Sequence, residues 1–322
     1  MPDSLESLGL PEYRSLSGSA LSRLAADVRS RLPGDWEAGS DRFGVRAGPT
    51  AGGPRFRLLP GGVYRIGLSD EELAAAVAIA PQPNLTVTEM TPAREVKLDP
   101  VLMADLPITQ AVASQFIVGL DTGHPDHPAM LCRDEALAIA GDLGWRLPSE
   151  AEWEACCRGG SSTLFPWGST LPEAAVLERW MAWSLPEENI ERNALGFGGL
   201  CFGEWCSDEF RVSHDPDAAI EPGAYVIKGG AAQFWPWQDQ EWVWCACAMR
   251  MPSTALFADQ SVALLDRCAT WSNDRLLHIG HLAPAECGVV GVGLRPGSGP
   301  GSGVRQHRGV AKEQARHRGL PR

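Results

Sequence analysis

Cys245 and Cys247 stand two residues apart in the stretch 242–250, WVWCACAMR. On a strand that spacing turns both side chains to one face, where two soft thiolates would act together. The plainer alternative is that both fill space in a core, where cysteine behaves as a small apolar residue. Cys201 and Cys206 lie five apart, and Cys156 and Cys157 are neighbours on a helical stretch, so their side chains diverge. His124, Asp126 and His127, in GHPDHP, have a chelating spacing inside a loop stiffened by prolines. The sequence has no G-x-S-x-G, no phosphate loop and no zinc spacing. No resident metal is expected from these patterns.

A second concentration of chemistry is aromatic. Trp235, Trp237, Trp242 and Trp244 fall within ten residues, interleaved with Gln238, Asp239, Gln240 and Glu241. Tryptophan with a polar handle is typical of binding hot spots. The segment PWQDQE reads as an exposed loop, with Trp237 and Trp242 nearest its tip. At least two of the four tryptophans are expected to fill the core. The expected ligand surface combines Trp235, Trp237, Gln238, Trp242 and Trp244 with Arg250.

These residues belong to a chain of 322 residues, 44% hydrophobic and 21% charged. That is ordinary globular usage and excludes a disordered or fibrous protein. Thirty-five glycines and 25 prolines point to a loop-rich fold. The net charge is −12, but the last nineteen residues carry six basic side chains against Glu313, which leaves the body at −17. An acidic body repels phosphates, so nucleic acid is not an expected partner, the basic tail apart. Asp3, Glu6, Arg14 and Arg23 interrupt the first thirty residues, and the longest apolar run, Leu73–Ala80, is too short to span a bilayer. A cytoplasmic protein without a membrane partner is the expectation. Nine irregularly spaced cysteines agree with it, being a poor disulfide framework.

Three segments organise the chain. Residues 1–52 read as an N-terminal helical extension. Leu21, Leu24, Ala25, Val28 and Leu32 recur at helical spacing after a cap at Ser19. Residues 53–296 read as one domain. It opens with a strand at 55–59, a Pro60-Gly61-Gly62 turn and a strand at 63–66. Two capping boxes follow, Ser69 with Glu72 and Ser149 with Glu152. Helices are expected over 133–143, closed by Gly144, and over 146–160, with Gly159 where a C-terminal glycine belongs. Between 161 and 245 no long helical period appears, and strands are expected at 224–228 and 289–295. Residues 297–322 are a Gly/Ser/Pro linker and a basic tail, expected to be disordered.

Five islands, in order, resemble the formylglycine-generating enzyme, or sulfatase-modifying factor, family. They are PGGVYRIG at 60–67; the stretch from His127-Pro128 through RLPSEAEWEACCR to 158; FPWG at 165–168; NALGFGGLCFGEWCSD at 193–208; and VIKGG at 226–230 with GVGLR at 291–295. The resemblance implies an α+β, loop-rich fold of the C-type lectin kind. It makes 60–67 the opening strand pair. Independently of the resemblance, RLPSEAEWE reads as a capped helix in the core, where Arg146 can pair with a buried carboxylate. In such domains the tryptophan-rich stretch belongs to the ligand face, the region that varies in the ligand-binding proteins of diversity-generating retroelements.

The family's oxidases hold copper(I) between two cysteines five apart and oxidise a substrate cysteine. Counting forward from Gly230 puts those positions at Phe234 and Asp239; counting back from Arg250 puts them at Trp237 and Trp242. Neither pair is cysteine. The calcium ligands implied by the family are also missing from the shortened stretch 201–205 and from 168–193. The resemblance therefore implies a catalytically degenerate domain that binds a protein or peptide. The alternative is a divergent copper-dependent oxidase using Cys245 and Cys247 to modify a partner.

Overall fold

The N-terminal residues build a hairpin before the first strand that the sequence pattern reveals. The computed structural model describes residues 5, 8–79, 87–120, 122–181, 189–229, 245–254 and 283–284. Helices α1 (Leu10–Ser15) and α2 (Ser19–Ser30) lead into β1 (Trp36–Asp41) and β2 (Gly44–Pro49). Arg42 and Phe43 form the two-residue turn between them, with Asp41 facing Gly44 across the ladder. Gly44 sits at φ +115°, and a Cβ there would strike the Tyr13 ring, whose hydroxyl accepts a 2.7 Å hydrogen bond from the Val45 N–H. Only a helix was expected over 1–52. β1, WEAGSD, lacks the apolar alternation that betrays a strand, and its edge position explains why.

β2 continues into β3 (Phe56–Leu59). The next strand, β4 (Gly62–Ile66), does not pair with β3. The turn at Pro60-Gly61-Gly62 instead carries the chain from one sheet to another. A Cβ on Gly61 would lie 2.9 Å from Pro100 Cδ, and Gly62 has φ +143°. α3 (Asp70–Ile79) follows, capped as expected: the Glu72 N–H donates to Ser69 Oγ at 3.3 Å and the Ser69 N–H to Glu72 Oε2 at 2.8 Å. β5 (Arg94–Leu98) pairs with β4, and β6 (Val101–Ala104) pairs with β3. The first sheet thus runs β1-β2-β3-β6, all antiparallel.

A short helix, α4 (Gln110–Ala113), and α5 (Arg133–Asp142) precede the two-residue strand β7 (Trp145–Arg146) and the central helix α6 (Glu150–Arg158). α5 ends as the glycine signal requires, with Gly144 at φ +68°. α7 (Ala174–Met181) lies in a region where no helix was expected; its buried Leu177 and Trp180 occupy too short a span to show a period. The third sheet is β8 (Glu204–Arg211), β9 (Ile220–Lys228) and β10 (Arg250–Thr254), with β9 in the middle. β11 (Ala283–Pro284) pairs with β7. The fold is α+β and C-type lectin-like. Trp153, Phe56, Phe165, Phe197 and Phe210 are the largest fully buried apolar side chains among the described residues. Among the described residues, no helix is long and apolar enough to cross a membrane.

Candidate functional site

α6 is buried on every side, its charged residues included. Its ends are made by local sequence. The Glu152 N–H donates to Ser149 Oγ at 3.2 Å, the Ser149 N–H donates to Glu152 Oε2 at 2.7 Å, and Gly159 closes the helix in the left-handed region at φ +55°. Arg146 donates to both Glu152 oxygens, at 2.8 and 2.7 Å, the pairing expected for it. Four residues apart, Glu150 and Glu154 then point together toward the third sheet.

That sheet answers with cations. Lys228 ends β9 and Arg250 begins β10, directly opposite each other in register. Lys228 Nζ, fully buried, lies 3.0 Å from Glu154 Oε2 and 3.7 Å from Glu150 Oε1. Arg250 is 2% exposed and contacts both Glu150 oxygens at 2.9 Å. Arg158 adds a 2.9 Å pair to Glu154, and His214 Nε2 sits 3.7 Å from the same carboxylate. Burial alone would raise Glu154, but Lys228 and Arg158 override it and hold the carboxyl at about 2. Burial wins at Glu150, which is raised despite Lys228 and Arg250. Burial also drives His214 down to about 3, so its ring is neutral. This knot locks α6 to β8–β10. With no member open to solvent, it is built for cohesion rather than for proton transfer to a ligand.

The cysteines pack around the same helix. Cys245 and Cys247 are not on a strand: Cys245–Met249 is a turn that precedes β10. The shared face that a strand would give is therefore absent, and each thiol has its own partner. The Cys157 thiol donates to Cys247 Sγ at 3.1 Å, while Cys245 is hydrogen-bonded to Cys201. Cys156 turns the other way, toward Met103 Sδ at 3.3 Å, as helical neighbours must. All five are at most 1% exposed, and burial pushes the thiols of Cys156, Cys157 and Cys245 well above the usual range. Cys206 is likewise buried and raised. His124 and His127 stack 4.4 Å apart in their loop. Among the described residues, no group of three or more His, Cys, Asp or Glu side chains is placed to hold a metal ion.

The glycine after Lys228 has a structural reason. Gly229 has φ +74°, and a Cβ on it would lie 2.1 Å from the Phe202 carbonyl oxygen. Asn193 ties the preceding island to α6, donating to the carbonyls of Cys156 and Cys157 at 2.6 and 3.1 Å. In the FPWG turn, Phe165 and Gly168 exchange backbone hydrogen bonds and Trp167 stacks on Phe165. Gly229 and Asn193 thus mark close approaches of backbone, and Asn193 ties its island to the buried helix.

Residues 46–261 match the family described as the sulfatase-modifying factor enzyme 1-like domain, well over half of the chain. The chain belongs to that family. Its relatives include the formylglycine-generating enzyme of Bos taurus, 32% identical over 117 residues, which is 30% of this chain and 31% of that protein. The formylglycine-generating enzymes of Streptomyces coelicolor and Thermomonospora curvata are each 29% identical, over 34% of this chain and 43% and 46% of theirs. The chain spans less than half the length of these curated relatives. Among solved structures, Treponema denticola variable protein 1 is 14% identical, with 79% of this chain and 100% of that chain covered at a TM-score of 0.47.

Copper is the metal the family implies. The described residues do not fit it, because the two thiols nearest the expected position face different neighbours inside the core. Trp235, Trp237, Gln238, Trp242 and Trp244 lie outside the described residues, as does the strand expected at 289–295. Arg250, grouped with those tryptophans in the sequence, is held in the core by Glu150. Sequence reasoning missed Lys228, Glu154 and His214 as one cluster. The spacing of Glu150, Glu154 and Arg158 signals a charged helix face; nothing in the sequence places His214 against it.

Proposed function

We propose that this chain is a catalytically degenerate member of the sulfatase-modifying factor enzyme family that binds a protein or peptide segment. The observation that carries this reading is the burial of Cys245 and Cys247 against Cys201 and Cys157. A copper(I)-thiolate centre needs two ionised sulfurs aimed at one point. Here the thiols are shielded from solvent, the Cys245 thiol is held protonated, and no cysteine occurs between Gly230 and Trp244. What replaces the cysteines in that stretch is aromatic and polar: Trp235, Trp237, Gln238, Trp242 and Trp244. Large amphipathic side chains of this kind supply contact area at low entropic cost. Asp239 and Glu241, in an acidic body, favour a neutral or cationic segment over an acidic one.

The test is a random peptide library presented to the full chain. Enriched peptides should bind at least about tenfold more weakly to the Trp237→Ala/Trp242→Ala variant, which should retain its melting transition. Binding that survives the double substitution, or a variant that unfolds, would remove these tryptophans from the ligand surface.

A further inference from the structure

An arginine-lined cavity of about 640 Å³ opens beside the β1–β2 hairpin, far from neutrality in a protein whose body is acidic. Six arginines line it: Arg42, Arg46, Arg55, Arg57, Arg179 and Arg192. Asp41 and Glu191 are the acids in its wall, and both are already engaged. Asp41 takes both Nη atoms of Arg57, at 3.0 and 2.9 Å, and Glu191 takes Arg179 at 2.6 Å. Behind the wall, buried Asp105 is shared by Arg192 at 3.1 Å, Arg57 at 3.7 Å and Arg55 at 4.0 Å. Three carboxylates thus pair with four of the six guanidiniums. Arg42 and Arg46 have no ion pair among the described residues.

Two features show how positive the wall is. Arg46 and Arg57 stand directly opposite each other in the β2–β3 ladder, a pairing of like charges with Asp41 as the one carboxylate of the wall that acts on both. Arg57 is 7% exposed, and its Nε–H has no hydrogen-bond acceptor; a buried charged donor rarely stays unsatisfied. Arg42 and Arg57 both lie over the Phe43 ring, at 4.5 and 5.0 Å, which holds two guanidiniums at the turn.

We propose that this cavity is a binding site for a small anion carrying two linked phosphate groups. A guanidinium fork matches phosphate oxygens in pairs, and Arg42 and Arg46, the two lining arginines outside any ion pair among the described residues, would each match one phosphate group. The volume suits a small molecule. Asp41, Arg42 and Phe43 precede the segment matched by the family, so this wall is an addition to the shared domain. The site is independent of the tryptophan-rich stretch.

The experiment is calorimetric titration of the full chain with pyrophosphate, a nucleoside diphosphate, sulfate and hexaglutamate at one ionic strength. Saturable binding of pyrophosphate or the nucleoside diphosphate, well above sulfate, is expected; tighter binding of the nucleotide would identify a diphosphate ester rather than the free ion as occupant. Arg42→Ala/Arg46→Ala, with both side chains exposed and outside any ion pair, should weaken it at least about tenfold at an unchanged melting temperature. Arg42→Glu is the second variant, expected to act in the same direction. Diphosphate binding no stronger than sulfate, or equal in wild type and in both variants, overturns the proposal. So does tighter binding of hexaglutamate, which would mark the cavity as a dock for an acidic protein segment.

Discussion

Cys157 and Cys247 bring their sulfur atoms within 3.1 Å across ninety positions of sequence. The contact joins the last turn of α6 to the turn that starts β10, next to Lys228 and Arg250. It places Cys247 in the packing of the core. Replacing Cys247 with serine keeps a group that can accept from Cys157 but buries a stronger dipole. A loss of about 1–2 kcal/mol is expected, with folding retained, as read from urea unfolding midpoints.

Glu154 is the carboxylate on which the charged knot turns. Glu154→Gln leaves Lys228 and Arg158 buried with a neutral partner, and a loss of about 3–5 kcal/mol is expected. The pH dependence has a definite sign. Because the folded carboxyl titrates at about 2, below its ordinary value of 4.5, its contribution is present above 4.5 and is lost as pH falls toward 2. The acid limb of the wild-type stability profile should therefore be steeper than that of the variant. Parallel limbs would mean that Glu154 does not carry this charge.

Glu89 behaves in the opposite sense. Burial raises it from 4.5 to about 7, a shift that Arg250 reduces and Glu221 reinforces. Below 4.5 the carboxyl is neutral in both folded and unfolded chains, and no penalty exists; above 7 the folded state carries the charge at a cost. Glu89→Gln should raise the melting temperature at pH 8 and leave it unchanged at pH 4. An equal effect at both values would point to packing rather than charge.

Ser149 fixes where α6 begins. Ser149→Ala removes the oxygen that receives the Glu152 N–H and loosens the box that holds Glu152 against Arg146. A cost of about 1 kcal/mol is expected in chemical denaturation, and Ser149→Asp should restore most of it.

α6 and its boundaries were readable because capping and helix closure are local: Ser149, Glu152 and Gly159 act within a few residues of each other. Strand pairing was not. PGGVYRIG looks like a hairpin, yet β3 and β4 join different sheets, since Gly61 must pass close to Pro100, a neighbour set by tertiary packing. The hairpin at 36–49 escaped notice because Gly39 and Ser40 break the apolar pattern on an edge strand. The buried knot was hidden for a related reason. Lys228 and Arg250 meet their carboxylates 74 and 100 residues away in sequence, and separations of that size leave no periodic trace. Cys245 and Cys247 fill the core, as the plainer reading of them had it; the alternative, a common face, follows from an i, i+2 spacing only on a strand, and these residues form a turn.

The central claim, that the catalytic centre of the family has been lost, is tested most directly by copper(I) titration of the reduced chain beside its Cys247→Ser variant. The account expects no tight stoichiometric binding, and the same weak response from both proteins. Tight 1:1 binding in the wild type that disappears in Cys247→Ser would contradict it and establish a divergent copper-thiolate centre at Cys245 and Cys247.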